Sequence, residues 1–128
     1  MAIWMIVEDE TDTREMLANA LRQRGAKPTQ AESAKQAFRL LEKRPWDLVI
    51  SDIGMPEVDG YTFMRKVRAM KPPVNGIPAI ALTAYAGEED SRQAIAAGFT
   101  AHIAKPITLT QLVRAITKAV GEGRKRTA

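Results

Sequence analysis

Glu8, Asp9, Asp52, Thr83 and Lys105 are the residues of this 128-residue chain whose types could act together as one chemical site. Each closes a short apolar run. Met1–Val7 runs into Glu8-Asp9-Glu10, Leu48-Val49-Ile50 passes through Ser51 to Asp52, the run from Pro78 ends at Thr83, and Ala101–Ala104 leads to Lys105. Taken singly, each is an ordinary strand boundary, because charged groups are seldom buried and strands must leave the core somewhere. Gathered in one place they would do chemistry. Carboxylates within a few ångströms raise one another's pKa unless a cation compensates. Oxygen donors, no cysteine and a sole histidine far along the chain favour magnesium, or manganese, over zinc. Glu8, Asp9 and Asp52 supply three negative charges, and a divalent cation with Lys105 supplies three positive ones. A neutral site of this kind can receive a phosphoryl group. Metal, ammonium and the Thr83 hydroxyl would hold its oxygens while the Asp52 carboxylate attacks.

The elements that must position these groups are legible as alternating periods. Short runs at Met1–Val7, 26–31, Asp47–Asp52, Pro78–Thr83 and Ala101–Ala104 predict strands. Between them, helical spacing of apolar residues predicts helices over Thr11–Arg24 (Met16, Leu17, Ala20, Leu21), from a Ser33 cap (Ala34, Ala37, Phe38, Leu41), over Tyr61–Met70, and over Glu88–Ala97. A last helix opens with the T-x-x-Q capping box of Thr108 and Gln111 and is expected to stop at Gly121. Alternating strands and helices predict an α/β fold, a doubly wound five-stranded parallel sheet in the order 2-1-3-4-5, flavodoxin-like (βα)5. Such sheets form sites at the carboxyl ends of their strands where the winding reverses, here between the first and third strands. Asp52 stands at that point.

Composition bounds the rest. At 45% hydrophobic and 27% charged, 128 residues fit one core. Residues 1–121 are expected to form the domain and 122–128 a basic, disordered tail. The tail's Arg124, Lys125 and Arg126 against Glu122 leave only +2 of the net +4 for the domain. With no recognition motif among Arg65, Lys66, Arg68 and Lys71, direct nucleic-acid binding is not expected. No run approaches a membrane span, and there is no signal peptide, so a cytoplasmic location without membrane contact is expected.

The set VEDE, DIGMPEVDG, LTAYA and AKPI resembles the receiver domain of two-component response regulators and hybrid histidine kinases, over residues 3 to 120. The resemblance implies that Asp52 accepts a phosphoryl group from the phosphohistidine of a histidine kinase or phosphotransfer protein, and that a switched surface meets a downstream protein. It makes Asp9, Asp52 and the Gly54 carbonyl direct magnesium ligands, with Glu8 acting through water, and gives Thr83 and Lys105 the phosphoryl oxygens. Lys105-Pro106 matches the family's cis peptide, while Pro56 and Gly60 shape the loop after Asp52. Ala84 and Tyr85 fall where access and switching are controlled. No independent enzyme is expected beyond self-phosphorylation and slow autodephosphorylation. A stand-alone regulator and a receiver cut from a hybrid kinase both fit, and the abrupt start at the first strand together with the loose tail leans slightly to the latter.

Two positions depart from the family pattern. Its rotating Tyr or Phe is His102 here, and Gly54 presents no side chain to an attacking water. The competing reading suggested by His102 is a receiver-fold interaction module that does not rely on phosphorylation. A phosphatase of the haloacid dehalogenase type would place its nucleophile in D-x-D after the first strand, and a flavodoxin-like binder would need a phosphate-holding loop where this chain has acids.

Overall fold

The structure, a computed structural model, describes residues 3–84 and 87–127. The predicted strands form as β1 (Ile3–Val7), β2 (Lys27–Ala31), β3 (Leu48–Asp52), β4 (Ala79–Thr83) and β5 (Ala101–Ala104), all but the polar β2 from apolar runs. They alternate with α1 (Thr11–Gln23), α2 (Ala34–Leu41), α3 (Gly60–Arg68), α4 (Glu88–Ala97) and α5 (Leu109–Thr127). All strand pairs are parallel and the order is β2-β1-β3-β4-β5, as the sequence predicts.

Period-two alternation divides the core between two faces. Met5 and Val7 join Val49, Ala79 and Ala81 beneath Phe63 and Val67 of α3. Ile6 joins Ile50, Ile80 and Leu82 beneath Leu17 and Leu21 of α1 and Leu112 and Ala119 of α5. The central strands β3 and β4 are buried along their whole length, which explains their unbroken apolar character up to the polar rim. The edge strand β2 carries Pro28, tolerated because an edge strand can spare a donor.

Local chemistry fixes the helix ends. Ser33 Oγ accepts from Gln36 N at 3.1 Å. Thr108 Oγ1 accepts from Gln111 N while Gln111 Oε1 accepts from Thr108 N, both at 3.2 Å. Asp59 caps α3 by accepting from Thr62 N at 2.8 Å, so that helix begins at Gly60 rather than Tyr61, and it ends at Arg68 rather than Met70. Gly98 closes α4 in the left-handed region at φ 114°.

Two expectations fail. Met16 is half exposed at 49%, because Leu17, Ala18 and Leu21 fill the inner stripe of α1 and leave Met16 on its shoulder beside Leu109. The last helix does not stop at Gly121 but continues to Thr127. A glycine inside a helix disfavours it by only about 1 kcal/mol, and no proline or left-handed cap is present there to enforce a stop.

Candidate functional site

The register places the strand ends side by side: Val7 pairs with Ser51, Asp52 with Leu82 and Thr83 with Ala104. The residues leaving β1, β3, β4 and β5 therefore meet at one rim. Backbone bonds lock the exits, with Glu8 N donating to Ala31 O at 3.0 Å, Ile53 N to Leu82 O at 3.0 Å and Lys105 N to Thr83 O at 2.7 Å.

Glu8 is the deepest of the acids, fully buried. Its Oε1 accepts from Glu10 N at 3.3 Å, whereas its Oε2 has no hydrogen-bond partner and faces Lys105 Nζ at 3.7 Å. Asp52 is also buried, with Oδ1 3.2 Å from the same ammonium. Asp9 is exposed, yet one carboxylate oxygen from each of Glu8, Asp9 and Asp52 lies within 4.8 Å of the others. Burial, then the charge of Asp52, pushes Glu8 up to about 7, with Lys105 opposing both. Burial pulls the Lys105 ammonium down, but Asp52 and Glu8 outweigh it and hold it above its ordinary value. Three like charges with one ammonium between them are thus under-compensated, as the residue types imply.

These residues fit a hard divalent cation. Three carboxylates converge, and a buried oxygen among them lacks any donor; oxygen donors of this kind suit magnesium or manganese.

The loop after β3 is held against the strand end. Gly60 N donates to Ile53 O at 2.9 Å, and a Cβ at Gly60 would stand 2.3 Å from the Asp52 carbonyl oxygen and 2.8 Å from Ile53 Cα. Only glycine permits that approach. Between them Val58 N donates to Pro56 O at 2.8 Å across Glu57, which adopts φ 66°. Gly54 is different: a Cβ there would meet nothing within 4 Å, so packing does not require its bareness.

Thr83 is buried at the end of β4, and the Lys105–Pro106 peptide is cis. Ala84 is exposed, and Tyr85 lies outside the described residues. His102 does not join the cluster. It pairs with Ala81, half-buried on β5, where it lines a groove of about 370 Å³ with Gln111, Arg114 and Lys118 of α5.

Two positioning residues escaped the sequence reading. Arg14 Nη1 donates to Glu8 O at 2.9 Å and its Nε to Gln30 Oε1 at 3.2 Å, fixing the first exit from the sheet. Arg68 donates to Gly98 O from Nε at 2.9 Å and Nη2 at 2.7 Å, and to Asn75 O from Nη1 at 3.0 Å, tying α3 to the end of α4. Neither pairing has a local signal, because the acceptors are backbone carbonyls or distant side chains.

A family model for the response regulator receiver domain matches residues 4–117. The chain belongs to this family. It is thus a receiver domain of two-component signal transduction. It is 34% identical over 118 residues to a probable chemotaxis protein CheY of Rhizobium etli, covering 91% of each chain. It is 42% identical over 112 residues to an uncharacterized 14.6 kDa protein of Leptolyngbya boryana, covering 88% of this chain and 85% of the other. Other relatives are much longer: the chain spans 26% of the transcriptional regulatory protein ZraR and 12% of the sensor histidine kinase RcsC of Escherichia coli. Among solved structures, the receiver domain of a sensor histidine kinase from Pseudomonas aeruginosa PAO1 is 30% identical, with a TM-score of 0.84, over 94% of this receiver and 98% of that one. That structure has a magnesium ion coordinated in its active-site cleft. Among the described residues, no helix of this receiver domain is long and apolar enough to cross a membrane.

Proposed function

We propose that this receiver domain takes a phosphoryl group onto Asp52 from the phosphohistidine of a histidine kinase or phosphotransfer protein. The observation that carries the reading is the Lys105 ammonium 3.2 Å from a buried Asp52 carboxylate within a three-carboxylate cluster. Asp9, Asp52 and the Gly54 carbonyl would hold a magnesium or manganese ion, with Glu8 behind them. When bound, that ion supplies positive charge to the carboxylates and to the oxygens of the transferring group.

The Asp52 oxygen attacks phosphorus, the phosphorus–nitrogen bond to the donor imidazole breaks, and the imidazole departs with the electron pair. Lys105 turns from its Asp52 contact to the phosphoryl oxygens, and Thr83 donates its hydroxyl to another. Exchange of the Lys105 partner changes the charge balance at the ends of β3, β4 and β5, and this alters the surface read by a downstream protein. Pro56 and Gly60 hold the loop that presents Gly54, while Ala84 borders the entrance. His102, set back along β5, serves that surface and not the transfer step.

The test uses a radioactive small-molecule phosphoryl donor with Mg²⁺. Wild type should acquire acid-stable, hydroxylamine-labile label, and Asp52→Asn should acquire none. Undiminished label in the Asn variant overturns the assignment of Asp52. No label in wild type would instead favour an interaction module that works without phosphorylation.

A further inference from the structure

At the opposite rim of the sheet the chain enters β3 and β4, and there the structure carries a second feature. The segments 41–45 and 69–74 enclose an open groove of about 710 Å³. Leu41, Met70 and Val74 line it together with the rings of Pro45, Pro72 and Pro73, and all three prolines are exposed. The apolar lining continues into a hollow of about 60 Å³ beside Trp46, which shares Pro45, Pro73 and Val74 with the groove. Volumes of several hundred Å³ with mostly apolar walls are typical of binding sites.

The charges on the groove are unbalanced. Lys43, Arg44 and Lys71 line it against a single acid, Glu42. None of the three cations is in an ion pair among the described residues, whereas Arg92 is paired with Glu88 and Glu89, and Lys105 with the site acids. Arg44 is also held in place: its guanidinium lies 4.6 Å from the Trp46 ring centroid, and Nη2 donates to Thr29 Oγ1 at 3.1 Å. A cation fixed in advance loses less freedom when a partner arrives. The Trp46 indole N–H already donates to Leu40 O, and prolines have no backbone N–H. An anionic partner would therefore be recognised chiefly by the three cationic side chains.

We propose that this groove docks an acidic peptide segment bearing large apolar side chains, such as a stretch of a partner protein. The apolar side chains would cover the proline and methionine lining while the carboxylates meet Lys43, Arg44 and Lys71. Because β3 and β4 each span five residues between the groove and the rim of Asp52, at about 3.3 Å per residue, the peptide would sit about 15 Å from the site and leave it open. The inference does not depend on phosphorylation of Asp52.

The probe is an acetylated, amidated hexapeptide of four glutamates around a leucine–phenylalanine pair, titrated into the isotope-labelled full chain and followed by NMR. Saturable shifts are expected at Lys43, Arg44, Met70, Lys71 and Val74, with affinity falling as salt is raised. Lys43→Glu combined with Lys71→Glu, both exposed positions, should weaken binding by about tenfold or more, and Asp52→Asn should leave it unchanged. A peptide with lysines for the glutamates, and one with alanines for the apolar pair, should both fail. The proposal is overturned if the acidic peptide does not saturate, if its shifts centre elsewhere, if the double variant binds as wild type does, or if either control peptide binds equally well.

Discussion

Replacing Glu8 by Gln in the metal-free protein should raise stability at pH 8 and remove a pH dependence. Glu8 moves from an ordinary value of 4.5 to about 7 on folding, because burial and the Asp52 charge disfavour its anion. A carboxyl group raised on folding imposes no penalty below pH 4.5, where it is protonated in both states. Between 4.5 and 7 the unfolded chain gives up the proton and the native chain keeps it, so stability falls with rising pH, by at most about 1.4 kcal/mol per pH unit. Above 7 the loss is complete. Summed over that window the ceiling is about 3 kcal/mol, a sizeable share of the roughly 5–15 kcal/mol that stabilises a domain. The full burial of Glu8 and its unpartnered Oε2 are the structural reasons to expect an effect of this order. Urea denaturation in EDTA, from pH 4.5 to 8, reads it as a falling midpoint in wild type and a flatter one in Glu8→Gln, with the two converging at the acid end. Excess Mg²⁺ should restore most of the loss in wild type and little in the variant. Parallel profiles for the two proteins would refute the assignment of the buried charge to Glu8.

Lys105→Met should push the Glu8 carboxyl above about 7, because the Lys105 charge is the larger of the two influences that lower it, ahead of the Glu10 N–H; an NMR titration of the Glu8 carboxyl carbon reads the shift, and a downward move would contradict the geometry. Gly60→Ala places a Cβ 2.3 Å from the Asp52 carbonyl oxygen, so it should destabilise by about 2 kcal/mol or more and slow phosphoryl uptake by displacing the strand end. Glu57→Gly relieves a φ of 66° and should stabilise by about 1 kcal/mol in urea denaturation. Ser33→Ala removes the bond to Gln36 N and should cost about 1 kcal/mol by the same assay, with phosphoryl uptake unchanged.

The sheet was legible because four of its five strands are short apolar runs bounded by glycine, proline or charge, and because parallel crossovers leave few possible orders for the polar edge strand β2. Ser33 and the Thr108–Gln111 box could be read as caps, since their partners are three residues away. That Glu8, Asp9, Asp52 and Lys105 share one rim followed from the parallel order of the strands. What could not be read depends on contacts across the fold. Gly54 in the loop after β3 and Gly60 at the start of α3 look alike in sequence, yet packing demands a glycine at Gly60 and leaves space at Gly54. Arg14 and Arg68 resemble any surface cation of a helix until their carbonyl acceptors are brought near. Gly121 carries the sign of a helix stop, but no proline follows it to enforce one.

The groups at the Asp52 rim and those that support it should be separable by experiment, because they act through different forces. Gly60, Asp59 and Arg68 work by close packing and by bonds to the backbone, so their loss should lower stability at every pH. Glu8, Asp52 and Lys105 work by uncompensated charge, so their alteration should change the slope of stability with pH and its response to Mg²⁺. The carboxylates that make the rim a candidate acceptor are also the groups that strain it when no cation is bound, and Lys105 can relieve only part of that strain because it is shared between Glu8 at 3.7 Å and Asp52 at 3.2 Å. A substitution that neutralises the rim should therefore stabilise the metal-free fold while weakening its hold on the cation.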